Sequence, residues 1–93
     1  MVGICEAGRE IDLCTAPGFA ATMRTEIDWV DNRAVFIDCS DITFMDSSAF
    51  HALVDADRYA LEHGHLLIIR NLRSNCARVV RLCDSNHELT IDA

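Results

Sequence analysis

From Phe19 the apolar positions fall at Met23, Ile27 and Val30, the three- and four-residue steps of one helix face. Thr15 stands before this run as a candidate N-cap, Pro17 sits where a first helical turn tolerates proline, and Asp31-Asn32 ends it. The period then shortens. Residues 34–39 are almost continuously apolar and predict a buried strand. After a polar step at Asp46-Ser47-Ser48 the helical period returns, with Phe50, Leu53, Val54 and Leu61 inward and Asp55, Arg58 and Glu62 facing water. Gly64 closes that helix, and residues 65–70 predict a second buried strand. Ser74 or Asn75 caps a third helix, with Val79, Val80, Leu82 and Cys83 on its apolar side and Asn86 at its end. Residues 88–92 predict a last short strand. Residues 10–14 read as a turn or strand end, and residues 1–8 are too short and glycine-broken to be assigned a strand.

Strand alternating with helix implies right-handed crossovers. The fold class is therefore α/β, a mostly parallel central sheet with helices and a truncated first strand, in one domain over residues 1–93. Composition agrees: 51% hydrophobic and 25% charged residues are those of an ordinary globular domain. The net charge of −7 argues against direct nucleic-acid binding and against an anionic membrane surface. No apolar stretch is long enough to span a bilayer and no charged-then-apolar leader opens the chain, so it reads most simply as cytoplasmic. Cys5, Cys14, Cys39, Cys76 and Cys83 contain no C-x-x-C pair and suit neither a zinc knuckle nor a disulfide framework; they read as buried thiols.

The candidate chemistry is concentrated where the strand run feeds the second helix. Asp46, Ser47 and Ser48 place a carboxylate and two hydroxyls at a helix N-terminus, which on spacing alone is a capping arrangement. Exposed serines there also accept phosphate. His51, one turn after Ser47, has the spacing of a base for a serine nucleophile, but no G-x-S-x-G elbow precedes it. A solvated helix histidine is the simpler reading. His63 and His65 flank Gly64 without the companions a metal site needs. Arg70, Arg73, Arg78 and Arg81 form the basic concentration, solvating the third helix or facing an acidic partner or a nucleotide phosphate. Trp29 and Phe50 are either core residues or aromatic anchors for a partner.

The run D-C-S-D-I-T-F-M-D-S-S over residues 38–48 resembles the D-L-S-x-V-x-F-M-D-S-S element of the STAS family, whose best-known members are bacterial anti-sigma factor antagonists. The resemblance runs from about Gly8, with Asp12 on the aspartate of the family's G-E-L-D element. It implies that Ser47 is phosphorylated by an anti-sigma factor with serine-kinase activity, with Ser48 as the fallback acceptor. It further implies that a PP2C-type, metal-dependent phosphatase reverses the modification. Asp12, Asp46, Ser48, Ala49, Phe50 and His51 become the candidate partner-binding residues. Where the family continues D-S-S-G-[LI]-G, this chain has Ala49 and His51, whose added bulk is expected to retune docking. Ser85-Asn86 replaces the family's glycine after the third helix, and the family's last helix has no counterpart after Ala93. A short first strand leaves an edge that invites pairing with a second copy.

The expectation is an anti-sigma factor antagonist: not an enzyme, without cofactor or metal, and controlled by phosphate. Two other classes stay open: a STAS scaffold module of a stress-signalling or lipid-transport complex, and a small serine hydrolase built on Ser47 and His51. Nucleotide binding lacks a phosphate loop.

Overall fold

Chain order and sheet order coincide in this protein, and that fixes which face of the sheet its helices cover. The computed structural model describes residues 2–4, 10–85 and 88–92, the first three by their backbone. Its elements are β1 (Val2–Ile4), β2 (Glu10–Ile11), α1 (Ala16–Trp29), β3 (Ala34–Asp38), β4 (Phe44–Met45), α2 (Ser47–Glu62), β5 (Leu66–Arg70), α3 (Ser74–Cys83) and β6 (Thr90–Asp92). The main sheet has the order β1-β3-β5-β6, with each neighbouring pair parallel. Successive right-handed crossovers in one direction put every connecting helix on the same side.

Burial follows from this. Val35, Ile37, Leu67 and Ile69 are fully buried beneath the helices, whereas Phe36, Ile68 and Arg70 on the alternate positions are half-buried. The continuous burial expected for β3 and β5 is thus an alternation, because helices pack on one face only. On the other face the Arg70 guanidinium lies 4.5 Å from the Phe36 ring centre, and its Nε donates to Asp92 Oδ2 at 2.9 Å. Val2–Ile4 does form a strand, pairing with Phe36, Ile37 and Asp38 at the edge of the sheet. Cys5, Gly8 and Asn86, which bore on expectations above, lie outside the described residues.

The helices bury the predicted stripes with two corrections, at Leu61 and Leu82. Phe19, Met23 and Ile27 of α1 are fully buried, while Trp29 in its last turn is 82% exposed. In α2, Phe50, Leu53 and Val54 are buried but Leu61 is 58% exposed. The loop after α3 reaches Arg58, whose guanidinium pairs with Glu88 at 3.7 Å, and Leu61 lies nearly a turn beyond. In α3, Cys76 and Val80 form the buried pair, and Leu82, two residues further round, points outward at 78% exposure.

The caps also differ. Thr15 occupies the N-cap position of α1 without a side-chain cap bond; its Oγ1 accepts from the Asp12 N–H at 2.9 Å while Asp12 Oδ1 accepts from the Thr15 N–H at 3.1 Å. Asp12 and Thr15 thus brace the turn ahead of α1, and the Ala16 N–H donates to the Asp12 carbonyl at 2.8 Å. Ser74 is the first residue of α3, Arg73 holds the N-cap position, and the Asn75 amide reaches away to the Thr43 carbonyl. Gly64 closes α2 as expected, at φ +83°, with its own N–H on the Leu61 carbonyl and the His65 N–H on the Ala60 carbonyl. Buried Asp84 ends α3 and accepts from the N–H groups of Glu88 and Leu89, turning the chain into β6.

Candidate functional site

The polar step after β4 becomes a site because a second, two-residue ladder places it. β2 and β4 pair in parallel, Glu10 with Phe44 and Ile11 with Met45, and the Asp46 N–H donates to the Ile11 carbonyl at 3.2 Å. The β2–α1 turn is thereby set beside the N-terminus of α2. Asp46, in extended backbone, caps that helix: its Oδ1 accepts from the Ser48 N–H at 2.9 Å and from the Ala49 N–H at 3.3 Å.

The loop leading there, residues 39–43, is pinned from below. The Cys39 N–H donates to the Arg70 carbonyl, Arg73 Nε to the Ser40 carbonyl, and Asn75 Nδ2 to the Thr43 carbonyl at 2.7 Å. Asp38 holds the first turn by accepting from the Ser40 N–H and the Asn71 amide, which keeps its carboxyl below the ordinary carboxylate range. Buried Cys76 adds a bond from Sγ to the Ile42 carbonyl at 3.6 Å, and burial pushes its thiol up. Arg73, Asn75 and Cys76 support this loop, a role that their sequence readings as basic cluster, helix cap and buried thiol did not include.

Ser47 is exposed on the first turn of α2, and Ser48 is half-buried. Ala49 is fully buried and Phe50 nearly so, so both side chains serve the core and neither offers its side chain to a partner. Alanine in place of glycine at position 49 thus adds its methyl inside the fold. His51 is exposed, with its ring edge-on to Phe50 at 5.7 Å between centres. Among the described residues neither Ser47 nor His51 makes a side-chain hydrogen bond, so no base–nucleophile pair is assembled between them.

Asp12 is the turn residue of the site. Its Oδ1 takes the N–H groups of Cys14 and Thr15, and these bonds, that from Thr15 foremost, hold its carboxyl below the ordinary range. Sequence reasoning missed the apolar rim. Leu13 is 76% exposed at the tip of the same turn, and Phe44 is 47% exposed in β4. Leu13, Pro17, Ser48, His51 and Asp55 line a shallow cleft of about 270 Å³ between the starts of α1 and α2. Only solvent exposure in the folded chain distinguishes Leu13 and Phe44 from core residues.

The remaining candidates lie elsewhere. His63 and His65 set their Nδ1 atoms on the carbonyls of Tyr59 and Asn32. Arg70 and Arg73 are bonded as described, leaving Arg78 and Arg81 exposed on α3. Cys39 and Cys76 are buried thiols, but Cys14 is exposed because it falls in the β2–α1 turn. No helix among the described residues is long and apolar enough to cross a membrane.

The arrangement is an exposed serine hydroxyl, on a rigidly capped helix, framed by carboxylates and two exposed apolar side chains. It can present an acceptor to another protein's active site. Comparison with known proteins finds the model of the STAS domain family matching residues 2–93 of the chain. No curated protein matches it.

Proposed function

Because the chain belongs to the STAS domain family, we propose that it is an anti-sigma factor antagonist, a binding protein switched by phosphate on Ser47 and itself without catalytic activity. Its partners in this reading are an anti-sigma factor with serine-kinase activity and a PP2C-type phosphatase. The observation that carries it is the exposure of Ser47 directly after the Asp46 cap, beside exposed Leu13 and Phe44. In the unmodified state the apolar rim and the α2 N-terminus dock on the kinase, and the sigma factor is freed.

The kinase then transfers the terminal phosphoryl group of a nucleoside triphosphate. A bond forms between phosphorus and Ser47 Oγ, the bridging phosphoanhydride bond breaks, the hydroxyl proton passes to a base of the kinase, and the diphosphate leaves. The product carries about −1.5 to −2 additional charge. Within the fold the helix N-terminus favours this charge by roughly 0.3–1 kcal/mol while Asp46 opposes it, so the domain stays folded. At a desolvated interface like charges cost on the order of several kcal/mol, a hundredfold or more in affinity. The phosphatase restores the hydroxyl by hydrolysis.

Peptide mass spectrometry on protein from its own cells, with Ser47→Ala as control, tests the reading. Phosphate on Ser47 that disappears in the variant is expected. Its absence through growth, starvation and stress would overturn the switch and leave a constitutive STAS binding module.

A further inference from the structure

Ser47, His51 and Asp55 stand at four-residue steps along α2, and all three are exposed. Residues at this spacing are neighbours on a helix surface, with Cβ atoms roughly 5–6 Å apart. His51 therefore lies between the proposed phosphoacceptor on one side and a carboxylate on the other. The edge contact with Phe50, itself buried, steadies its ring.

Every basic side chain of the protein other than histidine is an arginine, and the nearest to Ser47 in sequence, Arg58, pairs with Glu88. The N–H groups of Ser48 and Ala49, which a helix N-terminus would otherwise turn to an anion, are taken by Asp46 Oδ1. Asp12 and Asp46 add negative charge from the turn and the cap. On its other flank His51 shares a depression with Arg58, Cys83, Asp84 and Glu88 of α2, α3 and the loop after it. Among the described residues lining that depression, two carboxylates, Asp84 and Glu88, stand against one arginine.

We propose that a phosphate on Ser47 pairs with the imidazole of His51, whose ring N–H donates to a phosphate oxygen one helical turn away. The inference rests on the phospho-switch reading above. The pairing offsets part of the phosphate charge within the chain, so a docked partner feels less of it. A glycine at position 51, as in the family pattern, offers no such pairing.

The test introduces phosphoserine at position 47 during synthesis and follows its ³¹P resonance from pH 5 to 8. The second ionisation of the phosphate is expected about 0.15–0.4 unit lower in the native chain than in His51→Gln, with His51→Lys restoring the low value. Equal midpoints in the native and His51→Gln proteins would overturn the pairing. Because phosphate is built in chemically, this result is independent of whether cells modify Ser47. A chain that is never phosphorylated in cells would sink the switch, and equal midpoints would sink only the histidine's part in it.

Discussion

The Asp46 N–H donates to the Ile11 carbonyl, and through this bond residues 35 positions apart build one surface. Asp12 follows Ile11, Ser47 follows Asp46, and the ladder between them sets both beside exposed Leu13. Asp46 is tied by its backbone to β2 and by its carboxylate to α2. Replacing it by alanine is expected to cost about 1 kcal/mol, lowering the melting temperature by roughly 4–8 °C. Ser47→Ala and Ser47→Asp, at an exposed position without a side-chain bond, should stay within about 0.5 kcal/mol of the native protein. Thermal unfolding followed by circular dichroism separates the two positions; equal losses would contradict the assignment of the cap.

Asp57 is buried in α2, and its carboxyl is pushed up, chiefly by burial and then by Glu88 and Asp84, with Arg58 opposing. A folded-state value above the unfolded one means that protonation favours the fold. This stabilisation is complete below the ordinary value of 3.8 and is lost as pH rises through the raised value. Asp57→Asn should therefore melt above the native protein at pH 7, and the gap should narrow as pH falls toward 4. Asp12 and Asp38 carry the opposite sign, since their lowered values add stability above 3.8 that disappears on further acidification. Melting curves of the native and Asp57→Asn proteins across this range check the sign; a gap that widens in acid would refute it.

Gly64 holds φ +83°, and a Cβ placed there meets nothing within 4 Å. The cost of Gly64→Ala is then conformational alone, about 1–2 kcal/mol. Gly64→Asn should recover much of the loss, since asparagine tolerates the left-handed region. Urea midpoints of the two variants give the comparison.

Asn75 spans from α3 to the Thr43 carbonyl and should be needed for the loop more than for the helix. Asn75→Ala is expected to lose about 0.5–1.5 kcal/mol, with faster amide exchange confined mainly to residues 39–46. Uniformly faster exchange would show that the bond supports the whole fold instead.

Leu13 contributes to the proposed interface and little to folding. Leu13→Ser should leave stability within about 0.5 kcal/mol while weakening kinase binding about tenfold, as loss of an apolar anchor does. Calorimetric titration against the kinase is the measurement, and unchanged affinity would remove Leu13 from the contact.

Periodicity located α1 and α2 well, because Phe19, Met23, Ile27, Leu53 and Val54 repeat at helical steps and pack against the sheet. It could not tell where cover stops, so Leu61 and Leu82 look like core residues and are not. A two-residue strand has no period at all, which is why the β2–β4 ladder is invisible until Ile11 meets Asp46. The helix start at Ser47 was legible from local chemistry. The burial of Phe50 was legible from the same period, whereas that of Ala49, a small residue one position before it, carried no periodic signal. Thr15 makes no cap bond because its hydroxyl is engaged ahead of the helix, accepting from the Asp12 N–H and donating to the Glu10 carbonyl.

The strap from α3 to residues 39–43 has a practical outcome for anyone searching for the partner. A synthetic peptide of residues 38–48 would carry the whole motif and lack the Arg73 and Asn75 bonds, the Ile11 carbonyl and the Leu13 tip that shape it. Peptide arrays and linear-epitope antibodies would present the spelling without the surface. Bait for such a search has to be the folded chain.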